Sequence, residues 1–369
     1  MARTFSRPAI RARGKAFWAG LLRASGLFYL AKKLVQRQGP IVLTFHRVLN
    51  DSELQQTASL PGMIVRGNTF SSFLKYASEA CEFADLAREP QWHPGRKLKL
   101  GITFDDGWAD NATAAYPIAR QYQAPIVIFI VPEKTGTTLP FWPERAATAL
   151  DRSTSVTGPQ HQMANTERAI EELKDLPANE RELRIAQMTA SPEAIESSAA
   201  VDRTMTWEQI AELRAGGVTF GSHTRSHEIL TAIPVAQAKH EIASSRDLIE
   251  KTLRVPCSLF SYPNGDCSEA VRDMVAAAGY KFAFLNQSVG VWTRDCDPFL
   301  IPRVNVCEYH LIDATGTFSP LIFEYAVVWE AAKGLLAHIF KISLQKLQRP
   351  QGSAKSWEQA DKKQLEKPF

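Results

Sequence analysis

Six short runs of β-branched and aromatic residues punctuate the chain: residues 41–46 (IVLTFH), 98–104, 126–131 (IVIFIV), 218–222, 258–262 and 281–285. None alternates apolar and polar positions strictly, so each reads as a strand covered on both faces. Stretches compatible with helix separate them, at 110–123, 207–215, 234–253 and 268–278, and the last two end near Pro256 and Gly279. Strand–helix alternation of this kind predicts a parallel α/β sheet or barrel.

Residues 139–205 break the rhythm with FWPERAATAL, a polar Ser/Thr-rich loop and a charged helical stretch near 166–190. They read as an insertion that covers or borders one face of the body. Residues 318–347 predict a long C-terminal helix, with Glu324 and Glu330 early and Lys333, Lys341 and Lys346 late, as the helix dipole favours. The expected organisation is an N-terminal segment at 1–38, a catalytic domain at 39–316 with the insertion inside it, a C-terminal helix at 317–349 and a polar, disordered tail at 350–369.

The chain has 369 residues, 45% hydrophobic and 22% charged, which excludes a collagen-like, mucin-like or wholly disordered protein. Its net charge of +4 conceals an asymmetry: the first fifty residues hold ten Lys and Arg and no acid, residues 341–369 add +4, and the middle carries −10. The N-terminal bases are interleaved with Trp, Phe and Leu and the body is acidic, which argues against a nucleic-acid partner. In residues 16–31 (AFWAGLLRASGLFYLA), Arg23 interrupts a stretch otherwise nearest to a membrane span or signal peptide. Two readings fit: an amphipathic helix lying on an anionic membrane surface, or a helix packed on the body with its basic face solvated. Five cysteines without a CxxC predict reduced thiols and a cytoplasmic, membrane-apposed protein.

The chemistry concentrates at strand ends. Thr103-Phe104-Asp105-Asp106-Gly107 places two adjacent acids where a strand stops. Like charges raise each other's pKa, a cost that a bound cation relieves; the pair could equally open a turn and cap the next helix. His223-Thr224-Arg225-Ser226-His227 follows another strand, and two His four apart can face one point if the chain makes a helical turn. With one carboxylate they form a His₂Asp set that leaves positions for water and substrate. Phe260-Ser261-Tyr262-Pro263-Asn264-Gly265-Asp266 runs a strand into a turn, which could aim a backbone N–H at an oxyanion. His46 ends the first strand, where parallel folds place active sites.

In order and spacing, TFDDG, HTRSH and the FSYPNGD turn resemble the polysaccharide deacetylase family (carbohydrate esterase family 4) over residues 40–306. The resemblance implies an α/β fold, a distorted (β/α) barrel with a helical insertion and helical N- and C-terminal extensions. It implies that Asp105 is the catalytic base and that Asp106, His223 and His227 hold a divalent metal ion, usually Zn2+. The Asn264 backbone N–H would help form the oxyanion hole, and the Thr224 hydroxyl would hold the metal-site loop. Two departures stand out. The common motif has Arg where this chain has Ser261; Arg303 is the candidate substitute, or an ordinary surface Arg. The family's acid usually comes from a late Leu-x-His, whereas here the candidates are His46, matching an exopolysaccharide-type subgroup with a circularly permuted domain, and His310.

The implied activity is N-deacetylation of N-acetylhexosamine units in a polysaccharide, lipid-linked or nucleotide-linked glycan, with Trp108, Phe141 and Trp142 as candidate faces for a sugar ring. An amide hydrolase of allantoin-type compounds and a degenerate glycan-binding protein are the alternatives.

Overall fold

The computed structural model describes residues 7–88, 96–153, 159–188, 201–286 and 290–337. Its strands are β1 (Ile41–Phe45), β2 (Arg47–Leu49), β3 (Ile64–Arg66), β4 (Cys81–Phe83), β5 (Leu98–Phe104), β6 (Ile126–Ile130), β7 (Thr219–Ser222), β8 (Leu259–Ser261), β9 (Phe282–Phe284) and β10 (Val304–Asn305). The main sheet runs β10-β1-β5-β6-β7-β8-β9 with β4 also on β5, and β2 pairs with β3 apart from it. Its strand pairs are parallel throughout.

Each of the six apolar runs forms one of these strands, and the packing explains why none alternates. Val42, Val127, Phe129, Leu259 and Phe284 fill an inner cluster. Their neighbours Ile41, Leu43, Ile126, Ile128, Ile130 and Phe260 join the larger outer cluster beneath the helices. Both faces are therefore dry. The segment after β9 curls the sheet: Ile301 bridges Phe284 in parallel, and three residues later Val304 pairs with Leu43 of β1. One stretch of chain thus joins the two ends of the sheet, and the result is a distorted α/β barrel.

The helices are α1 (Arg7–Ala24), α2 (Leu27–Gln36), α3 (Gly67–Ala80), α4 (Tyr116–Gln121), α5 (Trp142–Ser153), α6 (Pro159–Lys174), α7 (Ala178–Met188), α8 (Trp207–Ala215), α9 (Val235–Leu253), α10 (Glu269–Ala277) and α11 (Pro320–Phe323). α8 begins at a capping box, in which Thr206 Oγ1 accepts from the Gln209 N–H and Gln209 Oε1 accepts from the Thr206 N–H.

Several elements differ from the sequence reading. The N-terminal segment is two helices, broken where Gly26 takes a left-handed φ of 76°. Among the described residues the insertion carries three helices; its charged stretch is divided between α6 and α7 at a break containing Pro177, which cannot continue the first helix. Residues 110–123 open with a π-helical turn, Asn111–Ala115, before α4. Pro117 lacks the N–H that would bond the Thr113 carbonyl in an α-helix, which accounts for the wider turn. The C-terminal helix likewise widens into a π-helical stretch, Glu324–Trp329, beyond α11. Residues 338–369, with the end of that helix and the polar tail, lie outside the described residues. No helix among the described residues is long and apolar enough to cross a membrane.

Candidate metal and catalytic centre

The carboxyl ends of four parallel strands deliver the candidate residues to one place. β1 leads into His46, β5 into Asp105 and Asp106, β7 into His223, and β8 ends at Ser261. Interstrand bonding continues one residue past the strands, with the Asp105 N–H donating to Phe45 O at 3.0 Å and the His223 N–H to Ile130 O at 2.8 Å. The chain then turns sharply. Asp106, Thr224 and His227 have φ values of 71°, 63° and 72°, in the left-handed region that non-glycine residues seldom occupy. Strain of this kind clusters where the surrounding structure over-determines a geometry. The two His therefore converge through left-handed turns and not through the helical turn expected from their spacing: a helix allows no such φ at Thr224 or His227.

Asp106, His223 and His227 offer one ligand atom each, all within 4.8 Å of one another. His223 Nε2 lies 3.6 Å and His227 Nε2 3.3 Å from Asp106 Oδ1. His223 Nδ1 contacts the Ser261 carbonyl at 2.8 Å, so that ring carries its proton on Nδ1 and presents Nε2 as a lone pair. Asp106 Oδ2 accepts from Trp108 Nε1 at 3.0 Å, while Oδ1 is buried without a hydrogen-bond partner. A buried carboxylate oxygen left without a donor beside two imidazole nitrogens is the donor set that a divalent cation fits. Burial pulls the His223 imidazole down to about 4, against the pull of Asp105, keeping it neutral as a ligand must be. Burial pushes the Asp106 carboxyl up, but the neighbouring imidazoles, His227 before His46 and His223, outweigh it and the group stays low.

Asp105 is clamped. Arg303 donates from Nη1 to Asp105 Oδ1 at 2.8 Å and from Nη2 to Oδ2 at 2.7 Å. Its remaining donors go to Thr103 Oγ1 at 3.0 Å, Ser261 Oγ at 2.7 Å and Leu285 O at 3.0 Å, so all five N–H groups are used. Arg303 is fully buried; it is not the surface Arg of the alternative reading. The small Ser261 side chain accepts from the guanidinium, which approaches from the residue just before β10. Burial raises the Asp105 carboxyl, and Arg303, with His223 and His46 nearby, reverses the shift and holds it below the usual carboxylate range.

The other candidates are placed as follows. His46 stands at the end of β1, within electrostatic reach of both Asp105 and Asp106, with Nδ1 buried and unpartnered. Its carbonyl accepts from Asn111 Nδ2 at 2.9 Å. His310 follows β10: its Nδ1 accepts from the Cys307 N–H at 3.2 Å, and burial together with Lys15 lowers the imidazole to about 4. Asn264 sits exposed in the turn three residues after Ser261, at φ 59°, with its side-chain amide donating to Asp266 at 2.6 Å. Thr224 Oγ1 accepts from the His227 N–H at 3.0 Å and ties the HTRSH loop. Trp108, Phe141 and Trp142 are only 1%, 3% and 7% exposed, which corrects their reading as sugar-stacking faces. Trp108 and Phe141 wall the centre instead, with Phe141 packed on His227 at 4.9 Å and on Trp108 at 5.1 Å between ring centroids, while Trp142 packs against Ala146, Ile170 and Ile229.

Two supports had no clear trace in the sequence. Arg47, counted there among the N-terminal bases, is fully buried. It donates to Asp110 at 2.9 Å, to Asp202, to Thr57 at 3.0 Å and to Ser59 at 2.9 Å, and its guanidinium lies 4.3 Å from the centroid of the Trp108 ring that holds Asp106. Glu241 of α9 accepts from the Arg225 N–H and Ser226 N–H, both at 2.9 Å, and from Ser226 Oγ at 2.8 Å, fixing the loop between the two His. The adjacency of Arg47 to His46 was the only cue to the first, and Glu241, fifteen residues past its partners, offered none.

A parallel α/β barrel with an Asp-His-His cluster and a second, Arg-clamped Asp at its strand ends can hold a divalent cation beside a general base. Residues 93–283, just over half the chain, match the family model for polysaccharide deacetylase. The chain belongs to the polysaccharide deacetylase family. All three motifs fall inside the match, whereas His46 and Arg303 fall outside it. The YxkH protein of Bacillus subtilis (strain 168), named for the same family, is 22% identical over 213 residues, 58% of this chain and 53% of that one. The match thus spans about half the length of that curated relative. Among solved structures, IcaB from Ammonifex degensii superposes with a TM-score of 0.50 at 16% identity, covering 80% of this chain and 97% of that one. BC0361, a polysaccharide deacetylase from Bacillus cereus, gives 0.50 at 14% identity over 79% and 69%. These two structures share the fold.

Proposed function

We propose that the chain is a divalent-metal-dependent N-deacetylase acting on N-acetylhexosamine units of a polysaccharide, lipid-linked or nucleotide-linked glycan. The observation that carries this reading is the partnerless, buried Oδ1 of Asp106 facing two imidazole nitrogens, one residue from an acid held ionised by Arg303. Asp106, His223 and His227 hold the cation, Zn2+ first among candidates for a His₂Asp set. The cation supplies Lewis acidity, lowering the pKa of a water toward about 7 and polarising a carbonyl oxygen.

Asp105 accepts the proton of the attacking water; its ionised state at neutral pH follows from the Arg303 clamp. The Asn264 N–H donates to the oxyanion of the tetrahedral intermediate. His46, on the neighbouring strand, protonates the leaving amine. Acetate and a free amino sugar are the products. Trp108 and Phe141 exclude water from the inner side of the cluster.

Acetate release from a panel of lipid-linked, nucleotide-linked and polymeric N-acetylhexosamines, run with metal analysis, tests the reading. Asp105→Asn keeps its metal and loses turnover, while His223→Ala loses the metal. Acetate release by Asp105→Asn near the wild-type rate overturns the base assignment. Stoichiometric metal with no N-acetyl substrate cleaved leaves glycan binding, and hydrolysis of allantoin-type amides alone replaces the substrate class.

A further inference from the structure

The two N-terminal helices have one face against the body and another bare. Ala19, Phe28, Ala31 and Val35 are buried. Phe28 meets Trp329 edge-on at 6.1 Å and Lys32 pairs with Glu324, so the helices are fastened to the C-terminal helical stretch. On the outer side Phe17, Trp18, Leu21, Leu27, Tyr29 and Leu30 are 40–64% exposed. They are six of the eleven large apolar side chains exposed among the described residues, and they fall within fourteen consecutive positions. Scattered exposed apolar residues are ordinary on a protein surface; a concentration with aromatic members signals a partner.

Charge identifies the partner. Lys33 is exposed beside Tyr29, its Nζ 5.5 Å from that ring's centroid, and apart from the buried Arg47 and the paired Lys32 the first fifty positions contain eight bases and no acid. We propose that the outer face of α1 and α2 docks on an anionic phospholipid bilayer, with Phe17, Trp18, Tyr29 and Leu30 entering the interface and the bases contacting headgroups. A second copy of this chain fits poorly, because self-docking sets one uncompensated basic face against another. A spanning arrangement is excluded by the buried face, which packs on protein. The sequence left membrane surface and packed helix as alternatives; the structure gives each its own side of the same helix pair. α1 also extends to Tyr309, over whose ring Lys15 Nζ lies at 5.0 Å, in the loop following β10 at the barrel end that bears the candidate centre.

Sedimentation of the full chain with vesicles of phosphatidylcholine alone or mixed with phosphatidylserine tests the proposal. Each engaged base adds roughly fivefold to partitioning on an anionic surface, so at least about a tenfold preference for the mixed vesicles is expected, and added salt reduces it. The triple variant Phe17→Ser/Trp18→Ser/Leu30→Ser lowers binding to mixed vesicles by about tenfold or more, because the apolar anchors are gone. Its circular dichroism and its turnover of a water-soluble N-acetyl substrate stay unchanged, which separates this result from failure of the catalytic reading. Equal binding to both vesicle types, or unaltered binding of the triple variant, overturns the proposal. A dimer in analytical ultracentrifugation that the triple variant abolishes, without vesicle binding, assigns the face to a second copy and also overturns it.

Discussion

Arg303→Met tests how Asp105, the candidate base, is tuned. Methionine fills much of the arginine stem's volume and removes the charge and all five donors. The pair it breaks is buried, with side-chain exposures of 0% for Arg303 and 4% for Asp105. Removing one partner of such a pair costs about 3–5 kcal/mol because the other charge is left unpaired in a dry site. One pKa unit corresponds to about 1.36 kcal/mol, so Asp105 can meet this cost by moving up roughly 2–4 units and accepting a proton. The acid limb of kcat/KM for acetate release should therefore shift upward by at least about 2 pH units in the metal-loaded variant.

Stability supplies a second readout. In the native chain Asp105 has a depressed pKa, so its contribution is present above the unfolded value near 3.8 and is lost as pH falls through the folded value. In the variant the folded value lies above the unfolded one, and stability is lost as pH rises through that window. The difference in melting temperature between the two proteins should consequently widen from acid to neutral pH. Returning a cation at the common motif position, as Ser261→Arg in the Arg303→Met background, should move the limb back down. An acid limb unchanged in Arg303→Met would refute the claim that Arg303 keeps Asp105 ionised.

Glu241→Ala removes the acceptor of three hydrogen bonds in the HTRSH loop and should weaken metal affinity 10–100-fold in a chelator competition; an unchanged affinity would show that the loop holds its shape without it. Gly221→Ala places a Cβ 2.6 Å from the Phe129 ring and 2.8 Å from Leu259 O, inside the barrel, and should cost about 1–3 kcal/mol by denaturant titration; an unshifted midpoint would contradict the packing described. Burial, reinforced by Asp106, pushes the Glu144 carboxyl up to about 8, above its ordinary 4.5. The folded state then binds the extra proton between those values, and stability falls as pH rises through them. The melting-temperature advantage of Glu144→Gln over the native chain should grow between pH 5 and pH 8, in that window, and a constant difference would place Glu144 in a wetter setting.

Strands buried on both faces are the most legible elements of this chain. Their uninterrupted apolar runs follow from an inner cluster and an outer cluster meeting on one backbone, as at Val42 between Ile41 and Leu43. β2, β3, β4 and β10 escaped because each is two or three residues with no separate apolar run around it, whereas the equally short β8 and β9 sit inside the runs 258–262 and 281–285. At the candidate centre the motifs located the strand ends, but local spacing misjudged how His223 and His227 meet, since no glycine marks the left-handed turns. Arg47 was opaque for a different reason: its neutralising partner Asp202 lies 155 residues away, and one-dimensional charge counting assigns such a residue to solvent. The aromatic residues near the DD pair show the same limit, because composition cannot separate a wall from a platform.

Arg303 lies on the stretch that joins β9 to β1 and closes the barrel. The partner of the candidate base is therefore among the last parts of the fold to emerge during synthesis, some two hundred residues after Asp105 itself. Until that stretch docks, the metal ligands and both acids can already be present while Asp105 lacks its counter-charge. Under the proposed function, competence is thereby tied to ring closure, and a nascent or clipped chain ending before Arg303 would carry the three recognisable motifs yet leave its candidate base without the guanidinium that keeps it ionised.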